Sequence, residues 1–417
     1  MVQIITEQPS FTVNEPFDIG QKNWDDPDHL AVGQLSMVNL FRTVAIETGE
    51  LVMPLPKSEL PLDINALTFN DPLMPTRSVN GDTLLNRRLY NDALLVMHKG
   101  KVIHESYRNG MTEHDRHVIH SCTKSLCSMI AAMAVDEGLL NPQAQMSEYI
   151  PEFKTIAAWQ GVTVQHVWDM QAGLVFSEDY ANPSAEYWSY ARAAGYYPPL
   201  EGEEAIGARA WAIENLTQRN YEPGTSFVYN STLTNVLGMA LENIYDKPLA
   251  ELFEEKLYKK TGAQSAGYFN TDPQGFPITE GQFNLRLTDF ARVASLMLNQ
   301  GKNFLGEQVV PADFITQLVT ENPQAQQAYG QDWQDTVFRN GQYQNKFWVL
   351  EPEQDRFTML GIHGQFAWYD LKRDLMVVGM GSYPKQDGDL MMTVLKLLWD
   401  GIAMATDTMN NNSPKEQ

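Results

Sequence analysis

A serine and a lysine three residues apart, Ser121 and Lys124, stand in the run His120-Ser121-Cys122-Thr123-Lys124-Ser125. On a helix that spacing sets both side chains on one face. A serine hydroxyl is a weak nucleophile until a base takes its proton, and a lysine whose pKa is lowered by burial can be that base. A serine in the first turn also offers its own backbone N–H to a developing oxyanion, where the helix dipole favours negative charge. The pair reads as machinery for acyl transfer. The plain alternative is a capping serine with an exposed lysine, and the spacing alone does not separate the two.

Such a pair needs a proton shuttle to the leaving group and a second oxyanion donor. Tyr229-Asn230-Ser231 follows the turn Glu222-Pro223-Gly224-Thr225 and precedes a helical pattern, so it can sit on a loop facing the serine. A phenol held between an ammonium and the serine can work as acid and base. Leu360-Gly361-Ile362-His363-Gly364-Gln365 interrupts a block of strands, and its glycines would let a substrate approach the strand edge. His114, His117 and His120 recur at three-residue intervals, but no Cys or Glu ligands cluster with them. They are read as polar residues leading into the helix, with no metal expected.

The elements that must position these residues follow from periodicity. Leu126, Ile130, Ala134 and Val135 predict a helix starting near Ser121 and stopped by Gly138. Upstream, Ala93 to His98 and Val102 to Tyr107 flank Lys99-Gly100-Lys101 as a β-hairpin. Further helices are predicted from Thr163, capped by that residue, from about Thr234 to Ile244, and from Leu285 to Leu298. The apolar runs from Phe347, Phe357, Gln365 and Leu375 read as a strand meander, and Met391 to Ala405 as an amphipathic helix. The two strand blocks should join in one antiparallel sheet. Residues 1–85, rich in Pro, Asp and Asn, read as an irregular extension lying on the body, with Trp24, Leu40 and Phe41 packing it down. Residues 86–120 and 270–417 are expected to form an α/β subdomain, and 121–269 a mostly helical one.

The 417 residues carry a net charge of −22, which disfavours nucleic acid and anionic membrane surfaces as partners. Cys122 and Cys127 are the only cysteines and are expected to be buried free thiols. No run of about 18 apolar residues occurs, so no membrane span is expected. Met1 to Pro16 has neither a basic start nor an apolar core, so no signal peptide and a cytoplasmic location are expected.

Together, Ser-x-x-Lys at 121–124, Tyr229-Asn230-Ser231 and Gly361-Ile362-His363-Gly364 resemble the ordered motifs of the serine β-lactamase-like hydrolases, which include esterases, class C β-lactamases and D-alanyl peptidases. The stretches around Asp115-Arg116-His117, Glu178-Asp179-Tyr180 and Trp368-Tyr369-Asp370 are most similar to the branch that cleaves linear 6-aminohexanoate oligomers. The resemblance covers roughly residues 90 to 400. It implies an α+β, β-lactamase/transpeptidase-like fold: a central antiparallel sheet flanked by helices with an inserted, mostly helical subdomain. It implies Ser121 as nucleophile, Lys124 as base, Tyr229 as proton relay, the backbone N–H groups of Ser121 and Ile362 as oxyanion hole, and Tyr180, Gly361 and His363 at the substrate. No cofactor is implied, the partner is a small ester or amide, and a homodimer is left open. β-Lactam-recognising relatives carry a cation on the strand before this glycine. Here Met359 stands at the matching position, which favours a neutral ester or amide over a β-lactam or a D-alanyl-D-alanine peptide. A non-catalytic binding protein on the same scaffold is disfavoured by the presence of Ser121, Lys124 and Tyr229 together.

Overall fold

A computed structural model describes residues 4–5, 19–333 and 337–412. The two predicted strand blocks do join. Seven antiparallel strands run in the order Gln342–Gln344, Phe347–Glu351, Arg356–Gly361, Gln365–Asp370, Leu375–Gly381, Asn91–His98 and Lys101–Tyr107. The hairpin closes onto the last meander strand, with Val377 opposite Val96 and Leu375 opposite His98. Every residue of Asn91–His98 is buried, as expected of a strand covered on both faces.

Alternation along the Gln365–Asp370 strand supplies both faces. Trp368 stacks at 5.7 Å on Trp399 of the C-terminal helix Asp389–Asn412. The neighbouring Tyr369 points the other way and donates its hydroxyl to the Ala294 carbonyl of helix Leu287–Leu298 at 3.1 Å. That helix packs its apolar stripe there, and it starts at Leu287, two residues later than its apolar pattern does. The C-terminal helix runs past both ends of its expected span because Asp389 opens it and polar residues continue its solvent face.

The Ser121 helix, Cys122–Asp136, is buried from Cys122 through Ala134. A helix that is apolar or small all round belongs inside, and its serines keep polar neighbours satisfied. Ser125 and Ser128 donate their hydroxyls to the carbonyls of Lys346 and Asn345, at 2.7 and 2.6 Å. Asn345 and Lys346 form a left-handed turn between strands, with φ of 50° and 62°. Cys122 and Cys127 are buried and unbridged.

A second sheet was not foreseen. Its five strands are Ile4–Ile5, Thr43–Ile46, Gly267–Asn270, Phe283–Leu285 and His117–Val118, in that order. Residues 19–85 are therefore no irregular cover. Thr43–Ile46 is wholly buried inside this sheet, and Trp24, Leu40 and Phe41 form a small core with Val118. The stretch Met1 to Pro16 lies outside the described residues apart from Ile4–Ile5. Among the described residues, no helix is long and apolar enough to cross a membrane.

Candidate active site

The second sheet delivers the serine. His117–Val118 pairs with Phe283–Leu285, and the Ile119 N–H continues the ladder to the Phe283 carbonyl at 2.9 Å. The chain then turns through His120 in a left-handed conformation, φ 43°, and enters the helix with Ser121 as its N-cap. Strand, turn and helix start are thus fixed by one strand pair.

Lys124, buried on the first turn, donates to Ser121 Oγ at 2.7 Å and to the Glu280 backbone carbonyl. Its ammonium lies 5.1 Å from the centre of the Tyr229 ring. The Tyr229 phenol is in hydrogen-bond reach of Ser121 and Lys124. Its ring is positioned by stacking on Trp348 and by edge contacts with Phe227 and Tyr343. The stretch ahead of it is pinned by the Val228 N–H on the Met170 carbonyl at 3.0 Å. The structure thus brings Ser121, Lys124 and Tyr229 together.

Burial was expected to lower the Lys124 pKa, and here the structure corrects the expectation. Burial is the largest influence and acts downward, but Tyr229, Glu178 and Glu280 together outweigh it and hold the ammonium above its ordinary value. Burial also raises the Tyr229 phenol, against the pull of Lys124. The resting site therefore holds an ammonium and a neutral phenol.

A cavity of about 480 Å³ opens over Ser121, walled by Tyr180, Tyr229, Trp348, Leu360, Gly361 and Ile362. Gly361 is required at its position, since a Cβ there would lie 2.7 Å from the Ile119 carbonyl oxygen. Ile362 begins the short turn Ile362–Gly364 and lines the same cavity as Ser121. Tyr180 donates to Glu178 at 2.6 Å, and Glu178 also accepts from the Ser231 N–H and hydroxyl, at 2.9 and 2.7 Å. That carboxylate fastens the loop over the site to the start of helix Thr232–Tyr245.

Two of the sequence-based assignments fall elsewhere. Met359 is fully buried and does not reach the cavity; its neighbour Leu360 does. His363 is not among the residues walling this cavity. With φ 62° it turns back, its Nδ1 meets the Tyr383 carbonyl at 2.8 Å, and its ring lies 5.5 Å from that of His120. The three regularly spaced histidines do not converge: His114 is exposed, His117 meets Asp92, and His120 stacks on Trp24. No group of residues suited to hold a metal ion is found among the described residues. Sequence reasoning assigned no role to Glu178 or Glu280. Glu178 stands in a stretch that carries the resemblance but was given no role of its own, Glu280 stands in none, and both reach the site through tertiary contacts.

Carboxylates also rim the cavity, at Glu178, Asp387 and Asp389, and no arginine or lysine is among the described residues that wall it. Burial raises the Asp387 carboxyl, and Glu178, Asp179 and Asp389 push it further.

The β-lactamase family profile matches residues 82–393. The chain is 30% identical over 297 residues to the 6-aminohexanoate-dimer hydrolase of Paenarthrobacter ureafaciens, a match spanning 71% of this chain and 74% of that protein. Among solved structures, one from Bacillus anthracis, named provisionally as a 6-aminohexanoate-dimer hydrolase, superposes with a TM-score of 0.83 at 20% identity, over 96% of this chain and 99% of the other. A family VIII carboxylesterase superposes with a TM-score of 0.55 at 15% identity, over 77% and 95% of the two chains. The fold is the β-lactamase/transpeptidase-like α+β fold, and the chain belongs to the β-lactamase family of hydrolases.

Proposed function

We propose that this hydrolase cleaves short esters or linear amides through an acyl-enzyme on Ser121. The observation that carries the reading is the Lys124 ammonium shared between Ser121 Oγ and the Glu280 carbonyl, 5.1 Å from the centre of the Tyr229 ring, with Ser121 itself opening on the cavity. Ser121 Oγ attacks the substrate carbonyl carbon, and its proton passes to the Lys124 amine. Tyr229 relays that proton to the leaving group. The backbone N–H groups of Ser121 and Ile362 receive the oxyanion, and water later releases the acid. Attack needs Lys124 in its neutral form, so the reactive site is one proton poorer than the resting one. Tyr180, tied to Glu178, holds the substrate from above. The chemistry calls on no cofactor. An uncharged acyl group suits the apolar wall of Trp348 and Leu360, whereas the carboxylate of a β-lactam would face Asp387 and Asp389.

A fluorophosphonate probe, which traps an activated serine, tests this directly. Labelling of the native protein at Ser121, abolished in Ser121→Ala together with p-nitrophenyl butyrate turnover, is the expected result. The loss in rate should be several orders of magnitude, about 10⁶ in the best-studied serine hydrolase. Near-native hydrolysis by Ser121→Ala would overturn the reading.

A further inference from the structure

Beside the substrate cavity, and sharing Ser121, Glu178, Tyr180 and Ile362 with its wall, lies a small polar chamber. It has room of about 20 Å³ and reaches from Ser121 to Glu280, with Glu178, Tyr196 and Ser231 in its wall. That is enough for a water molecule, and such a water would find the two to four polar partners it needs. Glu280 is 3% exposed. Tyr190 and Tyr196 both donate to its Oε1, and Oε2 takes no donor among the described residues. A carboxylate oxygen to which no described residue donates, on a residue that lines a chamber reaching the nucleophile, is placed to accept a proton.

We infer that Glu280 is the general base of deacylation, activating a water held in this chamber against the acyl group on Ser121. The inference rests on the acyl-enzyme reading above. The water oxygen bonds to the acyl carbonyl carbon as its proton passes to Glu280 Oε2. The intermediate collapses with cleavage of the carbon–Oγ bond, the proton on Glu280 passes through the Lys124 amine, left neutral by acylation, to Ser121 Oγ, and the carboxylic acid leaves. Lys124 serves acylation, and Glu280 the return of the free enzyme.

The charged and titratable groups facing Glu280 are Lys124 on the nucleophile helix, Glu178 on the covering loop, Tyr187 and Tyr190 on helix Glu186–Ala193, Tyr196 beyond it, and His120. Burial pushes the Glu280 carboxyl up, Lys124 and Tyr190 pull it back, and Glu178 raises it again, to about 7. A base titrating there is matched to neutral pH.

The test is Glu280→Gln, which keeps the shape and removes the base. With p-nitrophenyl butyrate it should give a stoichiometric nitrophenolate burst no slower than that of the native protein, since loss of the Glu280 charge frees more of the Lys124 amine, followed by turnover about 100-fold slower, within the usual range for loss of a general base. Intact-mass spectrometry should show the butyryl adduct on Ser121 accumulating. Native turnover without the adduct, in a variant still labelled by fluorophosphonate, would overturn the Glu280 assignment alone. Absence of labelling in the native protein would overturn the serine reading and this one with it. Should Glu280→Gln not fold, the native protein decides: deacylation of its butyryl-enzyme should slow as pH falls through about 7. A deacylation rate without that bend overturns the assignment.

Discussion

The Trp348 indole lies 5.6 Å from the Tyr229 ring and within 25° of parallel to it. This contact aims the phenol at Ser121 and Lys124, and its loss should be felt where proton delivery to the leaving group limits the rate. Trp348→Ala should slow amide cleavage by about 100-fold, the scale of a 1 Å misplacement of a reacting group. Cleavage of p-nitrophenyl esters, whose leaving group departs unprotonated, should fall much less. Steady-state rates on a matched amide and ester decide; equal losses on both would mean that Trp348 supports the fold rather than the phenol.

Lys124→Ala should be nearly as damaging as loss of the serine. Lys124→Arg should not rescue it, because a guanidinium keeps its proton at any working pH. In the native protein, the Lys124 pKa lies above its ordinary value because Tyr229, Glu178 and Glu280 overcome the downward effect of burial. The free amine is then the minor form at neutral pH, and its share grows roughly tenfold for each pH unit below that pKa. Acylation, read as kcat/KM for p-nitrophenyl butyrate, should therefore climb with pH through the neutral range and keep climbing beyond it. A flat profile from pH 6 to 9 would remove Lys124 as the base.

Substrate choice follows from the cavity wall. A β-lactam carboxylate finds no lysine or arginine there among the described residues and meets Asp387 and Asp389 instead. The missing charge-assisted hydrogen bond is worth about 1.5–3 kcal/mol, roughly ten- to hundredfold in kcat/KM. p-Nitrophenyl butyrate should be turned over at least about tenfold more efficiently than benzylpenicillin on that account. Because Leu360 faces the cavity and Met359 does not, Leu360→Lys should narrow the gap, whereas Met359→Lys should lower the melting temperature without helping penicillin. Comparable hydrolysis of both substrates by the native protein would refute the argument.

Arg356 ties the meander to the C-terminal helix, meeting Asp370, Glu351 and Asp400 at 2.8, 3.0 and 3.2 Å. Asp370 is fully buried but keeps Arg373 at 2.8 Å as a second partner. Removing one partner of a buried pair costs 3–5 kcal/mol when the other is left alone. Arg356→Met should therefore fall at or below the lower end, about 3 kcal/mol, in urea unfolding. A shift under about 0.5 kcal/mol would class the pair with exposed, energetically neutral ones.

Much of the large sheet is legible in the chain, because the hairpin and the meander are long apolar runs cut by turn residues. The second sheet is not. Its strands are two to four residues long and come from five separated segments, too short for a period to declare itself. The serine and lysine could be found from local spacing. Glu280 could not, since its relation to Ser121 exists only after Phe283–Leu285 has paired with His117–Val118. The facing of Met359 and Leu360 was hidden for another reason: the strand is covered on both sides, so its side chains carry no alternation of polarity to mark which one looks into the cavity. The direction of the Lys124 shift likewise depended on carboxylates and a phenol that sequence spacing does not place beside it.

The strand Thr43–Ile46 stands in the same sheet as His117–Val118, with two strands between them, and that short strand leads straight into the nucleophile. The family profile begins only at residue 82. A shortened version cut to the profile would discard one wall of the frame that seats Ser121 and would end the chain within the first turns of helix Asp389–Asn412. Anyone grafting or permuting this chain should therefore carry Thr43–Ile46 along with the matched residues, since it belongs to the frame that seats Ser121.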